Sequence, residues 1–258
     1  MWLWAAVGGT FRCMNMLLSY LRLLSAFSSG EVAFWTVQPG GRHYLSYVLK
    51  AQGPSPVTAM GLGSSGSSAV MGDSAGVVRL WDIERLVSAS GPTVEEELLS
   101  VEFGGSSNVV CATSSQVILW NLGAEDVIPV ARGSFMTKAS VSSSGNLVVV
   151  GSRSGHLKVC DVRARKLIMS QAEEETSNSA VTALAFSSRS DQLASGYSDG
   201  MVGVWDISGR WRRLESTHSP VHSLTFSRCD SKLLAGGLGL LSTIHLQDGA
   251  QKTESVLL

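Results

Sequence analysis

The chain has 258 residues, of which 44% are hydrophobic and 16% charged, with a formal net charge of −1. That length can bury one large core, and so balanced a charge gives no electrostatic case for a nucleic acid or an anionic membrane as partner. Cys13, Cys111, Cys160 and Cys229 form no CxxC pair and no short His/Cys cluster, which argues against a disulfide framework or zinc site and for a reducing, cytoplasmic or nuclear setting.

Residues 1–27 are the least regular part. Their apolar start lacks a basic leader, Arg12 and Arg22 interrupt it, and no window reaches a membrane-spanning length. Residues 1–20 are therefore set apart as an irregular segment or degenerate strand, and 14–27 are expected to supply strands or a short helix. From 21 onward the chain alternates short apolar runs with turns. LLSAFSSGEVAFW closes on Trp35, and 44–49 reads as an outer strand. The Ser/Gly run at 61–68 is a loop, followed by AVMGDSAGVVRLW closing on Trp81. VVCATSSQVILW closes on Trp120, and LVVVGSRSGHLKVC on Cys160. The clearest unit is 181–207, VTALAFSSRSDQLASGYSDGMVGVWDI, with three predicted strands ending on Trp205-Asp206. In LLAGGLGLLSTIH the closing position is His245. Further outer strands are expected near 125–131, 166–171, 211–216 and 251–257, polar and irregular.

The closing positions are 46, 39, 40, 45 and 40 residues apart, and Gly30, Gly76, Gly155 and Gly200 each lie five residues before one. A period of about 40–45 residues with four strands per unit marks a propeller blade. On these repeats residues 21–258 resemble the WD-repeat β-propeller family. The resemblance implies an all-β fold of about six four-stranded blades, with Trp35, Trp81, Trp120 and Trp205 as structural positions. Such propellers commonly have seven blades, so an incomplete ring is favoured over a closed six-bladed one.

Three motifs bear on chemistry. Gly72-Asp73-Ser74-Ala75-Gly76 matches the G-x-S-x-G elbow of serine hydrolases, which needs a strand before it and a helix after it. Here a strand follows, and Gly196-Tyr197-Ser198-Asp199-Gly200 repeats the pattern at the same register of another blade, so a turn is the better reading. The resemblance also implies a buried set of turn Asp, Trp, strand Ser/Thr and loop His. Asp199 holds that Asp position, whereas Ser29, Ala75, Ser114 and Ser154 replace it elsewhere; His218 lies near the loop position, and no blade has the whole set. Cys160-Asp161-Val162-Arg163 resembles the Trp-Asp-x-Arg of substrate receptors in cullin-type ubiquitin ligases, with Cys for Trp.

The resemblance points to a non-catalytic scaffold or adaptor that binds other proteins. No cofactor, metal, nucleic acid, membrane or small-molecule substrate is expected; a ubiquitin-ligase substrate receptor is the alternative. Partner contacts are assigned to the acidic runs Glu95-Glu96-Glu97 and Glu173-Glu174-Glu175, to Arg163, and to Trp211 within the basic stretch 210–213.

Overall fold

A computed structural model describes residues 11–17, 22–27, 31–37, 43–50, 55–63, 65–105, 107–124, 126–133, 135–164, 166–170, 178–207, 211–214, 217, 219–238, 240–246 and 253–257. Its secondary structure is all β. The first sheet runs β1 (Phe11–Leu17), β2 (Arg22–Phe27), β3 (Glu31–Val37), β4 (His43–Lys50). The second holds β5 (Val57–Leu62), β6 (Ser68–Asp73), β7 (Val77–Asp82) and β8 (Val87–Thr93). The third holds β9 (Ser100–Gly104), β10 (Asn108–Ala112), β11 (Gln116–Asn121) and β12 (Asp126–Arg132). The fourth holds β13 (Met136–Val141), β14 (Leu147–Ser152), β15 (Leu157–Asp161) and β16 (Lys166–Ser170). β17 (Val181–Phe186), β18 (Gln192–Tyr197), β19 (Val202–Asp206) and β20 (Trp211–Arg213) form the fifth. β21 (Ser223–Phe226), β22 (Lys232–Gly237), β23 (Leu240–His245) and β24 (Thr253–Leu257) form the sixth. Each sheet is an antiparallel meander, the order of a propeller blade.

The first blade begins at Phe11, inside the segment 1–20 that the sequence reading set apart, because Phe11–Leu17 pairs with Arg22–Phe27. Residues 14–17 and 22–27 are thus strand.

The chain divides into two compact units, residues 1–113 with 118–128, and residues 114–117 with 129–258. In the first, apolar residues on facing strands fill the space between neighbouring blades. Leu24, Val32 and Phe34 meet Val57, Met71, Trp81 and Ile83, and Val70, Val78 and Leu98 meet Val109, Ile118 and Trp120. In the second, Val149, Leu157 and Val159 meet Val181, Leu193, Tyr197 and Trp205. Val202 and Val204 meet Leu224, Leu233 and Ile244. Burying each such side chain is worth about 1.5–3 kcal/mol, so blades are held chiefly by their neighbours.

A repeated threonine reinforces those seams. Thr58 donates to the Leu98 carbonyl at 2.7 Å and Thr137 to that of Val181 at 2.6 Å, while Thr182 donates to that of Val221. Each acceptor starts the next blade. The three threonines stand 23 residues before Trp81, Cys160 and Trp205, a spacing the sequence displays but the blade pattern alone did not explain. The outermost strands β8, β12 and β16 are largely exposed, as expected, yet Leu167 and Ile168 on β16 face solvent.

Candidate functional site

The hairpins carrying the hydrolase-like pattern show why it recurs. The Gly76 N–H donates to the Asp73 carbonyl at 3.1 Å, and that of Gly200 to Tyr197 at 3.1 Å, so Ser74 and Ser198 are second residues of tight β-turns between strands. Gly76, Gly155 and Gly200 have φ of 82°, 87° and 86°, a left-handed backbone that favours glycine. The first glycine has a different duty. A Cβ on Gly72 would lie 2.7 Å from Leu98, one on Gly151 2.4 Å from Val181, and one on Gly196 2.5 Å from Val221. Each glycine therefore lets the next blade dock. Ser74 is exposed on a turn leading into β7, without a helix to build an oxyanion hole.

Asp73, whose side chain is buried, accepts the N–H groups of Ala75 at 3.0 Å and Val77 at 2.9 Å. Asp199 accepts the Met201 N–H at 2.9 Å, but it is exposed and closes its own turn. The residues after the closing positions also cap turns: Asp82 accepts from Glu84 and Arg85, Asn121 from Gly123 and Ala124, and Asp161 from Ala164. This explains the Asp or Asn that follows the closing position in those blades.

Two blades realise the Trp–Ser part of the buried set. Trp205 Nε1 donates to Ser195 Oγ at 2.9 Å, and Trp35 Nε1 to Ser25 Oγ at 2.9 Å, each across ten residues. In the second blade Met71 stands at that spacing, and the buried Trp81 Nε1 has no partner. Trp120 is buried as well. His218 lies outside the described residues.

The partner candidates fall in separate places. Glu95 and Glu97 are exposed and Glu96 half-buried in the loop between β8 and β9. Glu173, Glu174 and Glu175 lie outside the described residues. Arg163 is exposed in the turn after β15. Trp211 sits on β20, paired in register with Trp205, but its side chain is not among those described.

Two clefts went unread in the sequence. In the first unit, a cleft of about 580 Å³ is walled by Leu24 and Phe34, by Tyr44, Leu45, Ser46 and Tyr47 of β4, and by Ile83 and Glu84. β4 shifts register opposite Phe34 and Trp35, which sets Ser46 as the extra residue of a bulge. Ser46 Oγ lies 2.7 Å from Thr36 Oγ1, while Tyr44 and Tyr47 remain 51% and 52% exposed. In the second unit, a cleft of about 310 Å³ gathers Arg132, His156 and Lys158 with three serine hydroxyls. The sequence signal for both was weak, since the lining residues come from separate strands.

The thiols divide by burial. Burial pushes Cys111 up to about 12 and raises Cys160, the latter partly offset by Lys158. Cys229 is exposed in the β21–β22 turn, and hydrogen bonds first from Ser231, then from Ser227, lower it to about 7. Of these three thiols, alkylation should therefore strike Cys229 first, with a rate that rises through pH 7 and levels above it. Peptide mapping after brief iodoacetamide treatment checks this. Equal labelling of Cys111 or Cys160 would contradict it.

Among the described residues no three His, Cys, Asp or Glu side chains gather as a metal site, and no helix is long and apolar enough to cross a membrane.

A family model described as the Vps8 β-propeller matches residues 131–235. An Arabidopsis thaliana protein described as "Cell division cycle 20.1, cofactor of APC complex" is 28% identical over 63% of this chain and 38% of its own length. The Saccharomyces cerevisiae "APC/C activator protein CDC20" is 31% identical over 47% of this chain and 20% of its own. The chain thus spans well under half of these curated relatives. Among solved structures, the computationally designed Ika8 protein superposes with a TM-score of 0.76 at 23% identity, covering 95% of this chain and 74% of that one; this likeness concerns the fold.

Proposed function

We propose that this chain, a β-propeller whose repeats resemble the WD-repeat family, is a non-catalytic scaffold or adaptor whose blades hold other proteins. The observation that carries this reading is the cleft beneath β4. It is the larger of the two clefts, and its rim is two half-exposed tyrosines rather than a set of titratable groups arranged for catalysis. Tyrosine supplies large, stiff contact area with a polar tip, and it is enriched where proteins bind one another. The relatives described as cofactor or activator of a larger complex support the same class of role. We place that work in the cytoplasm or nucleus, on the charge balance and cysteine pattern of the sequence.

The test is quantitative affinity capture with the full chain and with its Tyr44→Ala/Tyr47→Ala variant. Both side chains are exposed enough for the variant to fold. Partners that bind the natural chain should fall at least about tenfold, since two interface aromatics at roughly 1–2 kcal/mol each exceed that factor. Undiminished capture of every partner would remove this cleft as the binding surface.

A second reading, a substrate receptor of a cullin-type ubiquitin ligase, rests on the exposure of Arg163 directly after Cys160-Asp161. Arg163→Ala should then abolish co-purification of the ligase adaptor while leaving other partners in place. An unchanged partner set would exclude it.

A further inference from the structure

We propose that the smaller cleft, in the second unit, binds a phosphoserine or phosphothreonine within an extended segment of a partner protein. The inference rests on the adaptor reading and concerns a different cleft from the one beneath β4.

The register builds one wall: Val150 pairs with Lys158 and Lys158 with Ser170, so these three residues form a row across β14, β15 and β16. The β14–β15 turn adds Ser152, Ser154 and His156, with His156 Nδ1 held 2.8 Å from Ser154 Oγ. Arg132 and Gly133 also line the cleft, and Met136 supplies an apolar patch. Among the described residues no carboxylate lines the cleft, and neither Arg132 nor Lys158 forms an ion pair. Two cations without an ion-pair partner among the described residues, an imidazole and three hydroxyls thus line one concavity, with Ser152 and Ser154 bonded to each other at 3.0 Å. That is more positive charge and more donors than a single carboxylate can use, and it suits a phosphate with three acceptor oxygens and nearly two negative charges.

A second feature adjoins it. Phe135, between the lining residues Gly133 and Met136, has φ of 59° and is 70% exposed. A left-handed backbone is costly for an aromatic residue, at about 1–2 kcal/mol. Here the Arg153 N–H fixes it by donating to the Phe135 carbonyl at 2.8 Å. The same bond joins Ser74 to Pro56 and Ser198 to Ala180, so the strand geometry holds the strained residue. An aromatic ring placed in solvent beside a basic cleft gives a flanking apolar residue of the peptide somewhere to anchor.

The test uses the full chain and a fluorescent peptide library with a fixed central phosphoserine, its unphosphorylated twin, and a version with glutamate at the centre. The phosphorylated pool should bind at least tenfold more tightly than either twin and weaken steeply with added salt. Arg132→Ala/Lys158→Ala should bring all three pools to one level. Phe135→Ala should erase any preference for apolar residues beside the phosphate. These positions are exposed, and an unchanged circular dichroism spectrum verifies each variant. Equal binding of the three pools, or phosphopeptide binding that survives loss of Arg132 and Lys158, overturns the proposal. Those results leave the Tyr44/Tyr47 experiment untouched, so the adaptor reading stands or falls separately.

Discussion

Gly76→Ala should unfold the chain at a markedly lower temperature, whereas Ser74→Ala, two residues away, should leave its melting unchanged. At Gly76 a methyl group would sit 1.8 Å from the Val94 carbonyl oxygen, in a backbone whose φ is 82°. The left-handed conformation alone costs about 1–2 kcal/mol for a residue with a Cβ. The clash is with backbone, so relief requires the loop after β8 to move and break the 2.9 Å bond from the Val94 N–H to the Gly76 carbonyl. A total of roughly 3 kcal/mol corresponds to a fall of about 6–12 °C for a domain of this size. Exposed Ser74 should change stability by no more than about 0.5 kcal/mol. Differential scanning calorimetry of both variants checks the pair. A hydrolase would reverse the pattern of importance: Ser74 would be indispensable to activity and would take up a fluorophosphonate probe. No such labelling is expected.

Ser195→Ala should be the next most damaging change for its size. It removes one oxygen, and that oxygen is the 2.9 Å acceptor of the Trp205 indole N–H at a site only 1% exposed. An orphaned buried donor costs about 1–3 kcal/mol, more than the hydrogen bond itself contributes. Trp81 already carries such an orphan, because Met71 stands where serine would be. Hence Trp81→Phe should destabilise less than Trp205→Phe, although both leave a similar void, since only the latter also breaks a formed hydrogen bond and leaves Ser195 Oγ with the longer 3.4 Å bond to the Tyr197 hydroxyl. Urea unfolding of the three variants gives the comparison, and equal losses for the two Trp→Phe changes would refute the role assigned to the hydrogen bond.

How far the sequence could be read depended on whether a feature repeated. Val181–Phe186, Gln192–Tyr197 and Val202–Asp206 were visible as strands because the alternation, the turn and the closing Trp205 agree with one another. The outer strands at 126–132, 166–170, 211–213 and 253–257 fell close to their expected places for the same reason. The G-x-S-x-G pattern was correctly suspected of being a turn on its recurrence alone. Its cause, a docking glycine followed by a left-handed one, required the neighbouring blade. The clefts were illegible because their residues share no spacing. Tyr47 lines one cleft together with Ile83 and Glu84 of another blade, and Arg132 and Lys158 line the other from different strands. The cysteines show the same limit. Cys111 looks like a core residue and is one, whereas the exposure of Cys229 follows from a turn in which Asp230 takes φ of 55°.

The central claim is that this chain works by holding proteins at its blade clefts and not by acting on a substrate. The most direct test is cross-linking of the full chain to its partners in cells, with the linked positions read by mass spectrometry. The account predicts inter-protein links concentrated on residues 43–50, 83–84, 131–136 and 152–158. Links scattered evenly over the surface, together with a covalent fluorophosphonate adduct on Ser74, would contradict it.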